Sequence, residues 1–126
     1  MELSSLKEWL QKLKESSQKE GVYTLVEGKR DLNKLKELGV KNIYPIKGKR
    51  FYDILEDLEN AHLVIILTDL DKQGEKMYKK LSFILEREGV PVEGRFREKL
   101  KEIGIKHIED IPVRSEDVSK ENNTLS

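Results

Sequence analysis

Three carboxylates stand directly after apolar runs. Glu27 follows Val22-Tyr23-Thr24-Leu25-Val26, and Asp69 and Asp71 follow Leu63-Val64-Ile65-Ile66-Leu67-Thr68. Both runs read as buried strands, and parallel strands ending on one edge would bring Glu27, Asp69 and Asp71 together. Crowded carboxylates repel one another unless a proton or a cation offsets them, so a hard divalent ion, Mg²⁺ or Mn²⁺, is the natural partner. An Asp-x-Asp at a strand end can present two oxygens to one side, which suits an ion held by few protein ligands plus water.

Each acid also has a plainer reading. Glu27 could be a solvated residue at a sheet end. Asp69 could cap the helix that follows, and Asp71, just before Lys72-Gln73-Gly74, is better placed to do so. One aspartate can be assigned to capping, and the second then needs a reason. Basic residues flank the acids: Lys29 and Arg30 after the Gly28 turn, and Lys47, Gly48, Lys49 and Arg50 after the next extended segment. On the same edge they would offset phosphate charge that carboxylates alone would repel, with Gly48 allowing close backbone approach. A solvated surface loop is the alternative for Lys47 to Arg50. His62 and His107, the only histidines, lack the paired spacing of a zinc site.

The elements that must position these residues alternate regularly. Leu6, Trp9, Leu10 and Leu13 fall at helical spacing, predicting a helix over about 5–19 that ends at Gly21. The first strand, 22–26, turns at Gly28 into a helix carrying Leu32, Leu35 and Leu38. An extended segment over 40–46 leads to a short helix with Tyr52, Leu55 and Leu58. The strand 63–67 precedes a helix from about Gly74 to Arg87, with Met77, Tyr78, Leu81, Phe83, Ile84 and Leu85 available for packing. Val90-Pro91-Val92 reads as an edge strand, because proline cannot donate to a ladder. Phe96, Leu100 and Ile103 mark a last helix stopped by Gly104, and 105–112 has no clear assignment. Strands alternating with helices imply an α/β fold with a central parallel four-stranded sheet and helices on both faces. Ligands of such sheets gather beyond the C-terminal ends of the strands, where Glu27, Lys47 to Arg50 and Asp69 to Asp71 fall.

Composition narrows the classes. The chain has 126 residues, 37% hydrophobic and 38% charged, which suits one compact domain with a heavily charged surface. Formal net charge is zero, so no global basic signal points to nucleic acid; residues 1–50 nevertheless hold 12 Lys/Arg against 7 Asp/Glu, and the remainder reverses the balance. Without cysteine there is no disulfide framework or thiolate chemistry, and a cytoplasmic location fits. The longest apolar run, around Ala61–Thr68, is far short of a membrane span, and the N-terminus lacks a signal-peptide core.

Val26-Glu27-Gly28-Lys29-Arg30-Asp31 and Ile66-Leu67-Thr68-Asp69-Leu70-Asp71-Lys72-Gln73-Gly74, about 40 residues apart, together resemble a Toprim domain. This Rossmann-like catalytic module is shared by topoisomerases, DnaG-type primases, OLD-family nucleases, RecR-like proteins and ribonuclease M5. The resemblance covers roughly residues 20–93 and is closest in style to ribonuclease M5, the primase module and small stand-alone Toprim proteins. It implies a Toprim-like domain over 21–112, and the residues on either side read as a packed N-terminal helix in 1–20 and a polar, flexible tail over 113–126. It implies Glu27 as general acid/base, Asp69 and Asp71 as ligands of Mg²⁺ or Mn²⁺, and Glu27 as a third ligand, directly or through water. Lys29, Arg30, Lys47, Gly48, Lys49 and Arg50 would contact phosphate, with Gly28 and Gly74 forming turns. The function so implied is metal-dependent phosphodiester hydrolysis or transfer on RNA or DNA, as a small nuclease. The alternative is a non-catalytic Toprim-like module that binds nucleic acid or a repair partner, with a homo-oligomer or a nucleic-acid-processing protein as possible partner.

Overall fold

The computed structural model describes residues 3–113. In chain order the elements are α1 (Leu3–Ser17), β1 (Val22–Val26), α2 (Lys29–Glu37), β2 (Ile43–Pro45), α3 (Phe51–Leu58), β3 (Leu63–Ile66), α4 (Lys72–Arg87), β4 (Val92–Glu93) and α5 (Arg95–Ile103), followed by a 3-10 turn at Ile108–Asp110. The four strands form one parallel sheet in the order β2-β1-β3-β4. This is the α/β architecture expected from the alternation of strands and helices.

The pleat divides the core. Along β3, Ile65 and the following Leu67 face a layer containing Trp9, Leu13, Leu35, Leu38 and Leu100, so α1, α2 and α5 cover that side. Val64 and Ile66 face Ile54, Leu58, Leu81 and Leu85, so α3 and α4 cover the other. Residues Val64 to Leu67 are fully buried, which explains the unbroken apolar run: a strand covered on both faces has no polar side. Trp9 is 4% exposed; its indole Nε1 donates to the Phe96 carbonyl at 2.8 Å and its ring meets Phe96 edge-on, fastening α1 to α5.

Several boundaries differ from the sequence reading. Helix α4 begins at Lys72, so Gly74 lies inside its first turn; β3 ends at Ile66, and β4 is only Val92–Glu93, because the Val90 amide is taken by the Leu85 carbonyl at the end of α4. Phe83 and Tyr52 are 63% and 68% exposed and do not pack, since each stands on the outer side of its helix, away from Leu81 and Leu85 or Ile54 and Leu58. Of the expected polar tail, residues from 114 onward lie outside the described residues. Among the described residues no helix is long and apolar enough to cross a membrane.

Strand order fixes where a ligand would sit. The chain runs from β1 outward to β2, returns to β3 on the opposite side of β1, and continues to β4. The reversal lies between β1 and β3, and a crevice opens beyond the C-terminal ends of strands at such a switch point. Glu27 follows β1 and Asp69 follows β3 closely, so both acids stand at the switch.

Candidate metal centre and phosphate cleft

The β1–β2 and β1–β3 ladders continue past the formal strand ends. The Ile46 amide donates to the Val26 carbonyl, the Lys47 amide to the Glu27 carbonyl at 2.9 Å, and the Leu67 amide to the Leu25 carbonyl. Lys47 is thereby held beside Glu27. Across the switch, the Asp69 amide donates to Glu27 Oε2 at 3.0 Å. Burial raises the Glu27 carboxyl above its usual range, and the charges of Asp69 and Asp71 push the same way, with the Asp69 amide opposing them.

Asp69 and Asp71 each use one oxygen for backbone and keep another. Asp69 Oδ1 accepts the Ile108 amide at 2.9 Å, while Oδ2 lies 3.5 Å from His107 Nδ1. Asp71 is the N-cap of α4, where Oδ1 accepts the Gly74 amide at 2.7 Å. Capping and metal binding are therefore compatible in one residue. One ligand atom each from Asp69, Asp71 and His107 lies within 4.8 Å of the others. Glu27 is outside that triad and joins it through the Asp69 amide. Two carboxylates and an imidazole so placed fit a divalent cation, with remaining positions open to water or a ligand oxygen.

Gly74 makes this strand end possible by its size. A Cβ there would lie 1.9 Å from the Asp69 carbonyl oxygen, so no other residue fits without moving the backbone. The expected turn-forming role is thus replaced by close packing of the first turn of α4 under the Asp69 peptide. Gly28 lies in the bend between β1 and α2, where it is the extended N-cap of α2 (φ −147°). Only Gly48, at φ +82° with open space around it, uses glycine's conformational freedom near the site.

Three residues outside the expected set organise the centre. Arg97 on α5 is 4% exposed and its fork closes on the end of β3. Nε donates to the Thr68 carbonyl at 3.0 Å and to Thr68 Oγ1 at 3.1 Å, Nη2 to the Asp69 carbonyl at 2.7 Å and Nη1 to Glu75 at 2.7 Å, while its guanidinium stacks on Tyr78. That ion pair holds the Glu75 carboxyl below its usual range. Asp31, in the first turn of α2, accepts the Gly28 amide at 3.3 Å; burial, helped by the Asp69 charge, pushes its carboxyl up to about 6. His107 is the third, raised above the ordinary imidazole range by its hydrogen bond to Asp69. His62 is remote, bonded to the Glu20 carbonyl.

A cleft of about 910 Å³ opens over this edge. Glu27, Asp31 and Asp69 line it together with Lys29, Arg30, Lys47, Gly48 and Lys49. The basic members are exposed, Arg30 lying 3.7 Å from Glu109 and Lys49 over the Tyr44 ring. Arg50 is not in the lining: it precedes α3 and pairs with Asp53 at 3.1 Å.

Comparison with known proteins agrees with this fold. The Toprim domain model matches residues 22–100. A UPF0292 protein of Methanosarcina acetivorans is 34% identical over 111 residues, covering 86% of this chain and 76% of that protein. A UPF0292 protein of Thermococcus sibiricus is 41% identical over 92 residues, covering 69% and 72% respectively. Among solved structures, a putative protein from Aquifex aeolicus superposes with a TM-score of 0.80 at 39% identity, over 84% of this chain and 97% of that one. The match runs from the strand before Glu27 to the helix that carries Arg97, and the chain belongs to the Toprim domain family.

Proposed function

We propose that this protein is a divalent-metal-associated module that holds nucleic-acid phosphate in the cleft beyond β1 and β3. Asp69 and Asp71 are its metal ligands, and Lys29, Arg30, Lys47 and Lys49 its phosphate-facing rim. One observation carries the reading: Glu27, Asp31 and Asp69 line the same cleft as Lys29, Arg30, Lys47 and Lys49, with Asp71 and His107 beside Asp69 but outside that lining. Carboxylates alone would repel a phosphodiester, and lysines alone would attract it without needing an acidic cluster. A cation held at Asp69 and Asp71, on the edge of the cleft, would reconcile them, and Mg²⁺ or Mn²⁺ there would polarise a phosphate oxygen. Lys47, tied through its amide to Glu27, would orient the RNA or DNA backbone, and the open turn at Gly48 leaves room for it.

Binding of short fluorescent RNA and DNA strands, followed by anisotropy across a salt series, tests this. Replacing Lys47 and Lys49 together with alanine should weaken binding and reduce the magnitude of the log–log salt slope by roughly 1.4–1.8. An unchanged slope would move the interface elsewhere.

A second reading, phosphodiester hydrolysis of the kind suggested by the likeness to ribonuclease M5 and primase modules, is favoured by Glu27. Its carboxylate is oriented by the Asp69 amide, and burial strengthens its hold on a proton, as general acid/base work requires. In a metal-supplemented cleavage assay, Glu27→Gln should lower turnover by about 10²–10⁴-fold while leaving the strand affinity near wild type. Absence of cleavage by the wild-type chain across structured RNA, single-stranded DNA and nicked duplex would leave the binding module as the whole function.

A further inference from the structure

His107 lies in a segment with no regular structure, yet its position is fixed from both sides. The Leu70 amide donates to the Lys106 carbonyl at 2.7 Å, and the Ile108 amide donates to Asp69 Oδ1 at 2.9 Å. The Ile108 side chain is itself completely buried in the layer beneath α2 and α5. Residue 107 is therefore clamped to the peptide segment that carries Asp69, and its imidazole stays partly exposed next to the acids. These contacts hold a nitrogen donor within 4.8 Å of one oxygen each from Asp69 and Asp71.

A nitrogen donor changes what the cluster prefers. Mg²⁺ takes oxygen ligands in near-ideal octahedra and keeps much of its water, and it gains little from an imidazole. First-row transition-metal dications accept imidazole more readily than Mg²⁺ does, Mn²⁺ least among them, and take carboxylate alongside it. We infer that His107 is a metal ligand that biases this centre toward a first-row transition-metal dication over Mg²⁺. The inference rests on the reading of Asp69 and Asp71 as metal ligands. The competing role for His107, an ion pair with Asp69 alone, predicts no metal–nitrogen bond.

The test uses the full chain, stripped of metal and held at about pH 8 so that free imidazole is neutral. Mn²⁺ and Mg²⁺ are titrated separately into wild type, His107→Ala and His107→Gln, and Mn²⁺-loaded samples are studied by pulsed electron paramagnetic resonance. Wild type should show ¹⁴N coupling to Mn²⁺ that disappears in both variants. Mn²⁺ affinity should fall about tenfold in His107→Ala, while Mg²⁺ affinity changes by less than about twofold. Thermal melts check that the variants fold, and His107→Gln covers the case in which His107→Ala does not. Mn²⁺ bound to wild type without nitrogen coupling, or an unchanged Mn²⁺-to-Mg²⁺ preference in a folded variant, would overturn the role of His107 and leave the aspartate site standing. If wild type binds neither ion, the aspartate site falls too.

Discussion

The Glu27 carboxylate accepts the backbone amide of Asp69 at 3.0 Å, so a residue after β1 fixes the peptide that aims the first aspartate after β3. The bond is charge-assisted when Glu27 is ionised, and it crosses the point at which the strand order reverses. On the same residue, the Asp69 carbonyl is gripped by Arg97 and roofed by Gly74. Three contacts from three segments thus converge on the backbone of one residue.

The roof gives the first prediction. Gly74→Ala would force a methyl group into the Asp69 carbonyl, and neither the first turn of α4 nor the buried end of β3 has room to yield. Stability should fall by about 1–3 kcal/mol or more, read as a lower urea midpoint. A midpoint equal to wild type would mean that α4 starts elsewhere in solution.

Arg97 gives the second. Arg97→Ala removes donors to two carbonyls, one hydroxyl and Glu75, leaving buried acceptors at Thr68 and Asp69 without partners. The expected loss is about 1–3 kcal/mol for each buried acceptor left unpaired, while Glu75, half exposed, keeps its hydration. Arg97→Lys should recover only part of it, since an ammonium cannot reproduce the planar fork. Glu75→Gln should cost far less, because Glu75 is half exposed. Full recovery by lysine would reduce Arg97 to a simple charge.

Much of this edge was readable from the residues, and the reason differs from case to case. The apolar runs before Glu27 and Asp69 have strand length and no polar face, so the parallel sheet and the meeting of the acids followed from periodicity and topology. Arg97, by contrast, looked like one more charge in a charged helix. Its signal was its place three residues before Leu100, on the stripe that is buried. Asp31 carried a signal too, three residues after Gly28, the spacing at which a side chain reaches back to the N-cap amide. His107 had none: its approach to Asp69 depends on the Leu70–Lys106 and Ile108–Asp69 bonds, long-range contacts that no local pattern announces. Tyr52 and Phe83 misled because aromatic type suggested packing while helical phase put them outside.

Asp31 supplies a pH prediction, to be measured in chelator so that no bound cation alters the field. Its folded pKa, about 6, lies above the ordinary aspartate value of 3.8, so the protonated acid favours the folded state. That contribution is complete below the unfolded value and is lost as pH rises through about 6. Asp31→Asn keeps an acceptor for the Gly28 amide and cannot ionise. Its stability relative to wild type should therefore increase between about pH 4 and pH 7, by on the order of 1–2 kcal/mol after allowance for screening at a cleft wall. A difference that stays flat across this range would show that Asp31 ionises as freely in the fold as in the unfolded chain.

The most direct measurement is the metal dependence of nucleic-acid binding in wild type and in the Asp69→Asn/Asp71→Asn double variant. A labelled single strand is titrated at fixed ionic strength in chelator and again with saturating Mn²⁺. Wild type should bind about tenfold or more tightly with the ion, a gain of about 1.4 kcal/mol or more. The double variant, lacking the carboxylates that hold the cation, should show no such gain while melting cooperatively. Equal enhancement in both proteins, or none in wild type, would contradict a metal centre at Asp69 and Asp71 that serves phosphate binding in this cleft.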